Sequence, residues 1–168
     1  RNSLNGSYMD YCVVRCTLDR LSNTSQLIKS RWIRPEDLPI YQEIGIDFFK
    51  IGGRAMPTEW IINATTSYSS LHYQGNLYDI LTVLAPKTEF ANLGSHNTQI
   101  ATAVPPSKVY INNQALEGFI DFFKKQDCLS GCSQCNYCQK VADKVVQIDR
   151  QETDKYVSLL RNFLNNLT

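Results

Sequence analysis

No apolar run in this chain is long enough to cross a bilayer as a helix. The strongest stretch, "LYDILTVLA" at 77–85, is about half of the roughly 20 residues such a span needs, so contact with a membrane interior is excluded and a soluble chain is expected. Excess charge of one sign is missing too: 17 Lys and Arg stand against 16 Asp and Glu, a net charge of +1. That balance sets up no broad field to gather nucleic acid or acidic lipid, and any such contact has to be local. Histidine is scarce. Only His72 and His96 occur, neither with a motif around it, which argues against a self-contained Ser/His/Asp hydrolase. The chain opens "RNSLNGSYMDYC", with no initiating Met and no basic-then-apolar leader. A processed or truncated product is expected from that start, with nothing addressing it out of the cytoplasm. Internal repeats and low-complexity runs are also missing from the sequence.

What the chain does have is a knot of sulfur. Four of its six cysteines fall in "CLSGCSQCNYC", where Cys128, Cys132, Cys135 and Cys138 are separated by three, two and two residues. Six cysteines are too few to staple a chain of 168 residues, and a core of this size does not need them. Thiols two residues apart rarely meet disulfide geometry with each other, whereas a Cys-x2-Cys turn can put two sulfurs on one side of a tight loop. Four thiolates satisfy either zinc or an iron–sulfur cluster. The crowded spacing is nearer to iron–sulfur runs than to zinc ribbons, whose two pairs are set further apart. Cys12 and Cys16, in "DYCVVRC", could complete one site with part of the later group, form a second ligand pair facing a partner chain, or join as a disulfide. Asn-x-Ser/Thr triplets at Asn5, Asn23, Asn63 and Asn166 keep a secreted, disulfide-bonded glycoprotein among the alternatives.

The rest of the pattern reads as α/β. In "RWIRPEDLPIYQEIG", Pro35, then Glu36 and Asp37, then Leu38, Tyr41 and Ile44 on one face, and Gly45 as a stop predict a short helix. "IDFFKIGG" predicts a buried strand, and Trp60, Ile61, Ala64, Tyr68 and Leu71 recur at helical spacing after Pro57. Residues from about 76 to 106, including Gly94 to Asn97 and a Pro-Pro pair, read as an irregular loop with one short apolar segment. "KVYINN" predicts a strand, and Asn113 a cap for a helix carrying Leu116, Phe119, Ile120 and Phe123. Val141 to Ile148 and the set Tyr156, Leu159, Leu160, Phe163 and Leu164 predict two closing amphipathic helices. Two or three strands are too few for an eight-stranded barrel, so a barrel assignment requires the remaining strands to come from elsewhere.

At the end of the "FKIGGR" strand, Lys50 needs water, an anion or a carboxylate, and Gly52 and Gly53 let backbone amides approach a ligand. Arg54 offers a planar fork for a carboxylate or phosphate.

The runs "SRWIRPEDLPIYQEIGIDFFKIGGR", "YQGNLYDIL", "VYINNQALEGFIDFFKK" and "CSQCNYCQKVADKVV", in that order, resemble the carboxyl-terminal half of the collagenase-like peptidase family. "SYMDYCVVRC" is similar to that family's segment of a strand followed by two close cysteines. The resemblance implies the second half of a (β/α) barrel over residues 1–112 and a helical, cysteine-rich tail over 113–168. It implies Lys50 and Arg54 as substrate or anion contacts, and the cysteines as ligands of a four-iron four-sulfur cluster. The implied activity is that of a hydrolase, or of a hydroxylation factor acting on RNA or a small aromatic substrate. A partner chain supplying the missing strands is expected, because unpaired barrel strands would aggregate. The alternative is a zinc-stabilised, non-catalytic interaction module; a secreted disulfide-bonded protein is the third.

Overall fold

The computed structural model describes residues 3–4, 7–8, 11–53, 56–82, 108–126, 128, 132 and 135–165. In chain order its elements are β1 (Ser3–Leu4), β2 (Ser7–Tyr8), α1 (Tyr11–Ser22), α2 (Ser25–Ile28), a 3-10 turn (Pro35–Asp37), α3 (Leu38–Glu43) and α4 (Thr58–Ser69). A 3-10 turn (Leu77–Ile80), β3 (Val109–Ile111), a 3-10 turn (Gln114–Leu116), α5 (Asp121–Lys125), α6 (Tyr137–Val145), β4 (Val146–Ile148) and α7 (Arg150–Asn165) follow. No helix among the described residues is long and apolar enough to cross a membrane.

Periodicity explains the main contact. Val14, Thr17, Leu18 and Leu21 line one stripe of α1 and are buried, as are Thr153, Tyr156, Val157, Leu160 and Leu164 on α7, and the two helices pack together. Asp149 starts α7 by accepting the Gln151 and Glu152 amides on its Oδ1. Leu27 and Ile28 on α2 meet Ala142 and Val145 on α6 in the same core, which Leu77, Ile80, Val109, Ile111 and Leu116 complete.

β3 and β4 pair antiparallel, with Val109 opposite Ile148, Tyr110 opposite Gln147 and Ile111 opposite Val146. This ladder ties the residues on either side of position 112, where a division of the chain was expected. Asn76 anchors the preceding turn to it: its Nδ2 donates to the Val109 carbonyl at 3.1 Å, and its Oδ1 accepts the Ile111 amide at 2.8 Å.

Three segments differ from the sequence reading, each for a local reason. The helix expected after Asn113 is two short pieces, because Gly118 takes φ +73° and turns the chain between them. The segment Val141 to Ile148 is helical only to Val145 and then joins the ladder as β4. "IDFFKIGG" belongs to no strand among the described residues: a strand needs a neighbour for its ladder, and here Phe48 is 92% exposed. Gly53 follows at φ +139°, and a Cβ there would lie 2.6 Å from the Trp60 ring, so both backbone and packing require glycine. The expected loop from about 76 to 106 is described only to residue 82; the remainder, with His96, lies outside the described residues.

Helices α3 and α4 end alike. The Ile46 amide donates to the Tyr41 carbonyl and the Gly45 amide to Gln42, while the His72 amide donates to Ser67 and the Leu71 amide to Tyr68. The left-handed position is Gly45 (φ +89°) in the first and Leu71 (φ +54°) in the second. A side chain in that conformation costs about 1–2 kcal/mol, and Leu71 is 41% exposed, so it recovers little by burial. Leu71→Gly is expected to stabilise the protein by up to about 1 kcal/mol after the extra chain entropy of glycine. A urea midpoint at or below that of the parent would show the strain is not there.

Candidate metal centre

The four clustered cysteines precede and enter α6. Cys128, Cys132 and Cys135 are exposed and Cys138 is half-buried. The Cys135 amide donates to the Cys132 carbonyl at 3.3 Å, closing the Cys-x2-Cys segment into a turn. Cys138, three residues further on, is the second residue of α6. Burial pushes the Cys138 thiol up; the Lys29 ammonium, just past α2, pulls it down; and Cys132, Cys128 and Cys135 raise it further. The four loop sulfurs are close in sequence. They have not converged: among the described residues no group of three or more His, Cys, Asp or Glu side chains is arranged to hold a metal ion.

An aromatic wall backs this loop. Tyr137, between Cys135 and Cys138 in sequence, stacks on Phe122 with centroids 3.7 Å apart and on Phe119 at 5.8 Å. Phe119 in turn stacks on Trp32 at 6.1 Å. The Tyr137 hydroxyl donates to the Phe119 carbonyl at 3.2 Å, and Trp32 Nε1 donates to the Leu27 carbonyl at 2.7 Å, so the wall is fixed at both ends. An apolar flank of this kind limits the access of water to a bound inorganic centre.

Cys12 and Cys16 are exposed on α1. Lys50 is exposed in the segment that lacks a strand partner, and Arg54 lies outside the described residues. His72 is also exposed, with Nδ1 3.6 Å from Glu36 Oε1.

A buried polar knot was not apparent from sequence. Arg34 Nε donates to Asp37 Oδ2 at 3.1 Å and its Nη1 to the Asn113 carbonyl at 2.8 Å. Glu36 Oε1 accepts the Tyr73 amide at 2.7 Å and Asn113 Nδ2 at 2.9 Å, and Asn113 Nδ2 also donates to the Tyr73 carbonyl. Glu36 and Asp37 looked like first-turn acids, and Asn113 like a helix cap; the cap is instead Asn112, whose Oδ1 accepts the Ala115 amide. The one available signal was an arginine, two acids and a proline packed into "RPED". Burial pushes the Asp37 carboxyl up despite the opposing charge and hydrogen bond of Arg34, and Glu36 and Asp121 push the same way.

Two nearby tyrosines define an alkaline transition. Tyr68, whose hydroxyl donates to the Ile33 carbonyl at 2.8 Å, is pushed up to about 12 by burial and then by Glu36. Tyr78 reaches about 12 through burial and Asp79. Because both folded values exceed the unfolded one, their contribution is intact below pH ~10 and is lost as pH rises towards 12. Phenolate absorbance should show both ionising together with unfolding; titration of all nine tyrosines near pH 10 in a folded chain would contradict this.

No protein-family model matches the chain. No solved structure matches it either. Over 139 residues, 83% of the chain, it is 32% identical to a curated protein named an uncharacterized protease, MJ1657, of Methanocaldococcus jannaschii. The match covers 36% of that relative, so the chain spans about a third of its length.

Proposed function

We propose that this chain is the carboxyl-terminal piece of an enzyme of the collagenase-like peptidase family, and that Cys128, Cys132, Cys135 and Cys138 hold a four-iron four-sulfur cluster. The reading is supported by the close spacing of the four cysteines and by the turn that the Cys135 amide closes on the Cys132 carbonyl. Thiolates alone form the donor set, and soft ligands of this kind select iron–sulfur clusters, zinc or Cu(I) over oxygen-loving cations. Cys128, Cys132 and Cys135 are exposed, and Tyr137, next to Cys138 in sequence, stacks on Phe122. Lys29 offsets part of the negative charge that four thiolates bring. A bound cluster would supply electron transfer or a Lewis-acidic iron.

The similarity to a protein named as a protease supports hydrolysis as the activity of the whole assembly. Hydroxylation of an RNA base or a small aromatic is the alternative outcome of an assay on that assembly. Lys50 and Arg54 are proposed to contact an anionic part of the substrate. Iron and acid-labile sulfide near four each per chain, after anaerobic purification, would support the cluster. One zinc per chain without sulfide would replace it with the zinc-stabilised module.

The missing barrel strands are proposed to come from a partner chain or a further segment, which pairs with residues 46–51. Ile46, Phe48 and Ile51 are all exposed along this stretch, as is Ile44 just before it, apolar surface that a paired neighbour would cover. The isolated chain is expected to self-associate, and Phe48→Lys to reduce that association, as read by light scattering. A monodisperse monomer at high concentration would contradict the unpaired strand.

A further inference from the structure

We infer that Tyr137 is the positioning residue of the loop centre: its ring, stacked on Phe122, seats Cys138 as a ligand already fixed before a centre binds. The inference rests on the proposal that the four loop thiols hold an iron–sulfur cluster. The four sulfurs are not alike. Cys128, Cys132 and Cys135 are exposed, whereas Cys138 is half-buried and packs, with Tyr137 and Val141, against the core. Moving a half-buried sulfur uncovers apolar surface, which costs free energy that moving an exposed one does not. Closing the loop on a centre therefore brings the three exposed sulfurs to Cys138.

Local sequence shows what fixes it. Phe119, Phe122 and Phe123 are three and four residues apart, so they share one side of the turns that run from Leu116 into α5. All three rings meet Tyr137, the first residue of α6. Phe122 is stacked on it at 3.7 Å with the planes 10° apart, Phe119 at 5.8 Å and 5°, and Phe123 stands edge-on at 5.9 Å. The bond from the Tyr137 hydroxyl to the Phe119 carbonyl holds the far end of the ring. A ring held on several sides fixes the backbone that carries it, and Cys138 is the next residue of the same helical turn. Each aromatic pair is individually modest, so losing one should speed release of the bound group roughly two- to tenfold rather than abolish binding.

The test is iron release from the full chain, purified anaerobically, into excess EDTA, followed as loss of the visible absorbance of the cluster. Phe122→Leu removes one ring without touching the loop. It is expected to bind the same iron and sulfide as the parent and to release iron roughly two- to tenfold faster, with α-helical circular dichroism unchanged. Tyr137→Leu should do the same, and Tyr137→Phe, which keeps the stack, should restore most of the parent's rate. Release at the parent's rate from folded Phe122→Leu overturns the inference, as does a Tyr137→Phe chain that releases iron as fast as Tyr137→Leu. Should Phe122→Leu fail to fold, the two Tyr137 variants decide alone. A parent without bound iron contradicts the cluster reading and this inference with it; an iron-loaded parent with indifferent variants contradicts this inference alone.

Discussion

Arg34→Met is expected to destabilise the protein by about 3–5 kcal/mol, the cost of leaving a buried charge without its partner. Arg34 is buried and bonds both the Asp37 carboxylate and the Asn113 carbonyl, so it links the Pro35–Asp37 turn to the start of the segment that leads to the cysteine loop. Methionine would fill similar space but satisfy neither acceptor. A loss of this size takes a large share of the roughly 5–15 kcal/mol that holds a domain folded. Acid should reduce the deficit, and the sign follows from Asp37. Burial already raises its carboxyl in the native protein, so its contribution is complete below the unfolded value near pH ~3.9 and is lost as pH rises through the folded one. Without Arg34 the ionised form is less favourable still. Urea unfolding of the variant and the parent should therefore differ most at neutral pH and converge towards pH ~4. A neutral substitution, or a deficit that grows in acid, would mean the knot is not a structural fastening.

Removal of a single loop sulfur should have the second large effect. Cys128→Ser, Cys132→Ser, Cys135→Ser and Cys138→Ser are each expected to bring bound iron and sulfide from near full occupancy to near zero, because a four-thiolate site has no ligand to spare. Cys12→Ser and Cys16→Ser should leave the loop centre intact, as the four loop thiols already make a complete ligand set. The readout is metal and sulfide content per chain, with near-ultraviolet and visible spectra. A centre that survives Cys132→Ser but not Cys16→Ser would show that the ligands are shared between α1 and the loop.

Elements whose partners lie within the chain were legible from sequence. The "KVYINN" strand has β4 to pair with, and of the stripe after Pro57 Trp60, Ala64 and Tyr68 reach the core while Ile61 and Leu71 stay exposed. "IDFFKIGG" shows the limit of that reading: its composition favours a strand, but composition cannot supply the neighbour that makes one, and Phe48 stands in solvent. Gly118 was visible in the sequence, but its positive φ depends on how Leu116 and Phe119 seat in the core. The cysteine spacing revealed which thiols could act together, because a few residues of loop bind them whatever the remainder does. The Arg34, Glu36 and Asn113 knot joins positions nearly eighty residues apart, and no local pattern encodes such a meeting.

X-ray absorption at the iron and zinc edges of the anaerobically purified chain tests the central claim most directly. The expected result is an iron edge with sulfur neighbours and a short iron–iron distance, present in the parent and lost in Cys135→Ser. A sample with no iron signal, or with zinc in an all-sulfur shell instead, would contradict it.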